Sequence, residues 1–348
     1  MIQKSLKEIS WNVPEEVYRE DPAYSYSTLA KFNRDGFEGL NKLFQKVSSP
    51  SLLFGSVVDT LLTEGEEAFN ERFFVATFPD ISDSVKQVVQ HIYNQYKDDA
   101  KTLVNIKDDD ILASCDFLEY SKSWKAETRV KNIREKGTLY YHFLKLSENK
   151  EVISTEVLEQ AKECVNALRE SPATEWFFRP DSPFDNIERL YQLKFKAEYN
   201  GIPLRSMLDL AIVDHNNKTI QPCDLKTTGH PEYKFFDSYV KWNYDIQQSL
   251  YTYNLKQNII KDPYFKDFKI LPYKFIVICK DTQIPMVWKV SDAMAATEVS
   301  YELGDYKFKN WREIVTELDY YIKNSSQVPK GISITESNNL EEWLKKGK

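Results

Sequence analysis

The strongest constraint on this chain is a change of hydrophobic period at Asn186. From there NIERLYQLKFKAEYNG alternates polar and apolar residues as a half-buried strand does. Asn200-Gly201 follows, a pair that accepts the positive φ of a tight hairpin turn. IPLRSMLDLAIVD predicts a second strand, His215 to Lys218 a polar turn, and TIQPCDLKTT a third strand. FFDSYVKWNYDIQQSLYTYNLKQ has helical period and predicts one long helix. YKFIVICKD is apolar enough for a buried strand, and PMVWKVSD predicts another. A strand meander followed by helix and strand predicts an α/β core.

Helices flank this core. Ser27 is the expected N-cap of TLAKFNRDGFEGLNKLFQ, which Ser48 to Pro50 ends. SLLFGSVVDTLLTEGEEAF predicts a second helix. Ile81 to Pro172 mixes charged and aromatic residues at helical period, and WREIVTELDYYI does so in the tail. The expected organisation is one domain over 1–348. It has N-terminal helices over 24–75, a helical insertion over 81–175, a sheet core over 186–292 and C-terminal helices over 293–348.

Composition excludes several classes. Aromatics make up 14% of the 348 residues, too many to leave unfolded in water. No apolar run approaches the ~20 residues of a membrane span. The opening MIQKSLKEISWNVPEE lacks a hydrophobic leader core, which points to the cytoplasm. Cys115, Cys164, Cys223 and Cys279 are too dispersed for a metal clamp, and a disulfide framework is not expected. Of the histidines, His91, His142, His215 and His230 lack ligand spacing. A net charge of −7 argues against a nonspecific nucleic-acid coat. It leaves room for a nuclease, whose DNA contact is a local basic groove and whose centre is acidic.

The third strand places Asp224 and Lys226 on one face, with Cys223 and Leu225 on the other. The short turn makes it an antiparallel neighbour of the second strand, which brings Asp209 beside Asp224. Two carboxylates that close repel unless a cation lies between them. All-oxygen ligation favours Mg²⁺ or Mn²⁺. Lys226 then orients a water and offsets charge on a phosphate in hydrolysis. The competing reading is a surface ion pair, Asp224 with Lys226 or Asp209 with Arg205, of little energetic weight.

Asp209, a hairpin and Asp224-Leu225-Lys226 resemble the PD-(D/E)XK nuclease motif. Within that superfamily the chain is similar to the RecE-like exonuclease (exodeoxyribonuclease VIII) group of phages and prophages. Tyr24-Ser25-Tyr26-Ser27-Thr28-Leu29 resembles the family's N-terminal Ser-x-Ser helix start. Phe54-Gly55-Ser56-Val57-Val58-Asp59 resembles its Gly-x-x-x-His helix, with Asp59 where the family usually has histidine. Asp224-Leu225-Lys226-Thr227-Thr228 resembles its D-x-K-T-T strand, and Tyr244 to Tyr251 its Tyr-Asp-x-Gln-x-x-x-Tyr helix. The likeness spans about residues 24 to 290 and is strongest from 188 to 251.

The resemblance implies a restriction-endonuclease-like core with a mixed central sheet, helical N-terminal elements and a helical insertion. It implies Mg²⁺, replaceable by Mn²⁺, on Asp209, Asp224, Asp59 and the Leu225 carbonyl. Glu188 is a further acidic candidate, and Glu198 competes with it. Lys226 would position the attacking water and Gln247 support it. Tyr251, Thr227, Thr228 and Lys241 would lie along DNA. Apart from the resemblance, Lys234, Lys241 and Trp242 offer a basic-aromatic track for DNA, with a solvated helix face as the plainer reading of each. The implied activity is 5′-to-3′ degradation of linear duplex DNA by a ring-shaped homo-oligomer, feeding a single-strand annealing recombinase. An endonuclease or single-strand-specific enzyme on the same core is one rival. A non-catalytic DNA- or partner-binding module is the other.

Overall fold

The computed structural model describes residues 4–45, 48–77, 79–99, 101–148, 150–182, 184–291 and 299–324. The chain forms two compact units, residues 1–55 with 164–348, and residues 56–163. The divisions fall inside the helices Pro50–Thr63 and Thr155–Glu170, where no loop marks them.

The 56–163 unit is largely helical. Helices Asp83–Tyr96, Asp108–Phe117 and Ala126–Leu146 bury Val85, Val88, Val89, Ile92, Ile111 and Ile133 in a common core. Gly137 allows the close approach of two of them, since a Cβ there would lie 2.5 Å from Cγ2 of Val89. Strands β1 (Phe73–Val75) and β2 (Glu151–Ile153) pair in parallel. Three-residue strands are too short for a periodic signal, so the sequence did not reveal them. The helix expected across 51–69 is two helices, Pro50–Thr63 and Glu66–Arg72. Gly65 parts them at φ 92°.

The other unit is built on a mixed, mostly antiparallel sheet of six strands. They are β3 (Ile187–Tyr199), β4 (Ile202–Asp214), β5 (Thr219–Thr228), β6 (Lys269–Ile270), β7 (Lys274–Cys279) and β8 (Pro285–Lys289). Strands β3, β4 and β5 form the expected meander. Asn200 and Gly201 both take positive φ, 51° and 77°, which matches the twist of a two-residue hairpin. Asp214 Oδ1 accepts from the Asn216 and Asn217 amides to fix the second turn. Strand β5 then runs parallel to β7, and β8 returns antiparallel. A parallel step needs a crossover, which helices Phe235–Lys241 and Tyr244–Ile259 supply.

These two helices correct the expectation of one long helix. Asn243 takes the left-handed conformation at φ 57°, which ends the first and starts the second. The N-terminal helix also differs from expectation. It runs Tyr26–Asp35 with Ser25 at the N-cap, not Ser27, and stops at Gly36, φ 57°. The two early stops, at Gly36 and at Asn243, follow from backbone sites of positive φ that hydrophobic period does not register.

Phe195, Leu208, Ile246, Leu250, Phe275 and Trp311 anchor a core between sheet and helices. Each such side chain contributes about 1.5–3 kcal/mol by leaving water. A hairpin of β9 (Tyr301–Leu303) and β10 (Tyr306–Phe308) precedes the helix Trp311–Lys323, capped by the Asn310 side chain. The hairpin corrects the expectation of helices throughout 293–348, of which 293–298 and 325–348 lie outside the described residues. All four cysteines are free and buried. Among the described residues no helix is long and apolar enough to cross a membrane.

Candidate functional site

Strand β5 changes partners halfway along. Its first half pairs with β4 as far as Cys223 opposite Leu210. From Cys223 onward its other edge pairs with β7. Asp224 and Asp209 are therefore the first residues past the point where β4 and β5 part. The opposite end of that β4 edge is taken by Tyr24, which bridges Leu204. The opening between Tyr24 and β5 is where Asp209 stands.

Asp209 bends into this fork. Its Oδ2 accepts from the Leu225 amide at 2.9 Å. In an extended strand the N–H and C=O of one residue point to the same edge, so the Leu225 carbonyl also faces the fork. Across β4, Gln192 occupies the position opposite Asp209. It takes φ 54°, while the β3–β4 register is unchanged on either side. A non-glycine residue in that region is strained, and here the strain sits directly against a candidate ligand.

Asp224 is 1% exposed. Its Oδ1 accepts from the Gln247 amide at 2.5 Å, and its Oδ2 pairs with the Lys226 ammonium. Alternation thus does bring Asp224 and Lys226 to one face. Lys226 lies 4.8 Å from the Tyr244 ring centroid and 6.0 Å from that of Phe275. Burial alone would lower its pKa. Asp224 first, then Tyr244 and Asp209, outweigh burial and raise it, so the amine stays protonated at neutral pH. This is an ion pair, but not the surface pair weighed from the sequence.

Gln247 comes from the helix Tyr244–Ile259, which is buried around most of its circumference. Asp245, Gln247, Gln248 and Asn254 are buried along with its apolar residues. Buried polar side chains are costly unless something needs them. Burial raises Asp245 to about 7. Tyr251 lies on the Gln247 face, as i, i+4 spacing requires, and it is buried rather than presented to solvent. Its hydroxyl is raised well above 10, by burial first and then by Tyr18, Asp224 and Asp209.

Tyrosines and arginines complete the surroundings. Burial raises Tyr18 to about 12, while Arg205 and Arg19 act in the opposite sense. The Arg205 guanidinium lies 4.8 Å over the Tyr18 ring. It is 9% exposed, and among the described residues its Nε and Nη1 have no hydrogen-bond partner. Tyr26 is raised by burial and by Tyr244 and Asp224. Sequence reasoning did not find Tyr18, Tyr26 or Gln192. Arg205 carried a signal, since it shares the Asp209 face of β4 at i−4.

A comparison with solved structures finds a protein of Eubacterium rectale described as "Putative exonuclease". It is 14% identical, covers 94% of this chain and 89% of its own, and has a TM-score of 0.44. No family model matches the chain, and no curated protein matches it. Likeness at that level leaves the assignment to the geometry of the site.

Other expected residues fall elsewhere. Glu188 is not brought to the fork: it pairs opposite Val213, about 13 Å along β4 from Asp209 at ~3.3 Å per residue. There it accepts from the Ser5 hydroxyl and the Leu6 amide and faces His215 Nε2 at 3.6 Å. It ties the N-terminal segment to the sheet. Glu198 is exposed beside the β3–β4 turn, opposite Pro203. Thr228 Oγ1 accepts from the His230 amide at 3.0 Å and holds the turn after β5. Thr227 Oγ1 lies 3.1 Å from where a Cβ on Gly55 would stand, so glycine permits that approach. Lys241 is exposed at the end of its helix. Asp59 belongs to the 56–163 unit, one helical turn beyond Gly55, and its carbonyl accepts from Thr63 Oγ1 at 2.9 Å.

Proposed function

We propose that this chain is a metal-dependent deoxyribonuclease of the PD-(D/E)XK type, with its centre at the β4–β5 fork. One observation carries the reading. Asp224 is buried with one oxygen on Gln247 and the other on Lys226, beside Asp209 where two strands part. Burying an ion pair this deeply costs several kcal/mol per ion in desolvation and is a poor route to stability. A functional demand explains it better than packing does.

The donor set suits a hard cation. Asp209, Asp224 and the Leu225 carbonyl offer only oxygen. Mg²⁺ is commonly held by one or two carboxylates, with water and substrate phosphate completing its shell. Among the described residues no group of three histidine, cysteine or acidic side chains gathers, so the donors described at the fork are two carboxylates and one carbonyl. The resemblance adds Asp59 as a ligand, and Asp59→Ala tests that role by itself. A bound Mg²⁺ or Mn²⁺ would act as a Lewis acid on the phosphate and make a water more acidic.

The protein's own residues do the positioning. Gln247 fixes the Asp224 carboxylate. Lys226, held as ammonium, orients the attacking water and offsets charge gathering on the phosphate. Arg205 is a buried cation with nitrogens free to meet a phosphate oxygen. The resemblance extends the reading to 5′-to-3′ attack on linear duplex ends, a homo-oligomeric ring and an annealing recombinase as partner.

The test compares linear and covalently closed circular duplex in Mg²⁺. Loss of the linear form alone is expected. Cutting of the closed circle would make it an endonuclease. DNA binding with no Mg²⁺-dependent product would make it a binding module. Asp224→Asn and Lys226→Ala should each abolish cleavage at a temperature where a thermal melt shows the variant folded, and cleavage by either variant would remove the mechanism.

A further inference from the structure

Trp242 lies at the break between two helices and is 41% exposed. The Arg34 guanidinium stands 5.4 Å from its centroid and the Lys241 ammonium 5.0 Å. Both cations are exposed, and among the described residues neither pairs with a carboxylate. The Trp242 backbone is joined to the site through two tyrosines. The Tyr26 hydroxyl donates to the Trp242 carbonyl at 2.6 Å. Tyr26 sits 6.3 Å from Tyr244, whose ring faces the Lys226 ammonium.

An exposed indole with two unneutralised cations standing over its ring suits one kind of ligand, an unpaired base with its phosphates, the base meeting the ring and the cations the backbone. Every base offers a π-face to an indole, and the cations attract the backbone on either side. A duplex interior does not fit, because its bases are stacked on each other and leave no free face. We infer that Trp242, with Arg34 and Lys241, is a stacking platform for an unpaired nucleotide of the strand that enters the fork. The substrate is then DNA with a frayed or single-stranded end. This rests on the nuclease reading and adds the form of the DNA.

The experiment measures equilibrium binding of a fluorescent single-stranded oligonucleotide and of a blunt duplex by anisotropy, in EDTA to prevent cleavage. Wild type, Trp242→Ala, Trp242→Phe and Arg34→Gln with Lys241→Gln are compared. Loss of one stacked base weakens single-strand binding about tenfold. Trp242→Ala should show that loss, Trp242→Phe should recover most of it, and blunt-duplex binding should change less than twofold. The double charge variant should flatten the salt dependence of single-strand binding. Trp242 is exposed and its contact to Tyr26 is through the backbone, so truncation leaves the fold intact, as a thermal melt will verify. Equal single-strand binding by wild type and a folded Trp242→Ala overturns the platform and leaves the nuclease reading standing. Wild type that binds neither DNA overturns both.

Discussion

The Gln247 amide donates to Oδ1 of Asp224 at 2.5 Å, across 23 residues of sequence. It links a buried helix to the strand end at which β4 and β5 part. Replacing Gln247 by leucine leaves that carboxylate oxygen buried without its donor. The expected loss is about 1–3 kcal/mol in urea unfolding. A Gln247→Leu variant as stable as wild type would show that the bond holds nothing in place.

Asp224 is buried and its partner Lys226 half-buried, so removing the ammonium strands a buried carboxylate. Lys226→Met should cost about 3–5 kcal/mol. Adding Asp224→Asn should recover much of it, because the charge left behind is gone. A double-mutant cycle reads the coupling directly. Strictly additive losses would contradict the pairing.

Asp245 makes stability depend on pH. Burial raises it to about 7 from an ordinary 3.8, against the opposing pull of backbone hydrogen bonds. The folded state therefore keeps the proton at pH values where the unfolded chain has released it. This contribution is complete below the unfolded pKa and is lost as pH rises through about 7. Asp245→Asn removes it. Relative to wild type, the variant should gain roughly 2–3 kcal/mol between pH 5 and pH 8. Parallel stability curves for the two proteins would show that Asp245 does not titrate in this range.

Gly137 sits in the helix Ala126–Leu146 with Val89 directly opposite. Alanine is the better helix former by about 1 kcal/mol, yet a Cβ would meet Cγ2 of Val89 at 2.5 Å. Overpacking at such a contact costs about 1–3 kcal/mol. Gly137→Ala should therefore lower the melting temperature, and Val89→Ala combined with it should restore part of the loss. A Gly137→Ala variant that melts higher than wild type would mean the helices can part.

Alternation alone located β3, β4 and β5, and with them the shared face of Asp224 and Lys226, because strand side chains repeat every second residue. Asn200-Gly201 was legible for a local reason too, since its conformation depends on those two residues. The helix breaks at Gly36, Gly65 and Asn243 were missed because hydrophobic period persists across a single left-handed residue. Glu188 misled for a different reason. A carboxylate at a strand start looks the same in sequence whether it faces a metal or, as here, Ser5 and His215.

The order of residues by itself set the strands, the turn between them and the acid-x-lysine pattern, all of which follow from local conformation and side-chain alternation. Only the tertiary structure decided that β5 leaves β4 at Cys223 to join β7. That exchange of partners opens the fork. It also determined that Gln247, Tyr18, Tyr26 and Arg205 surround it. Those contacts depend on the packing of segments far apart in the chain, and no local period encodes such packing.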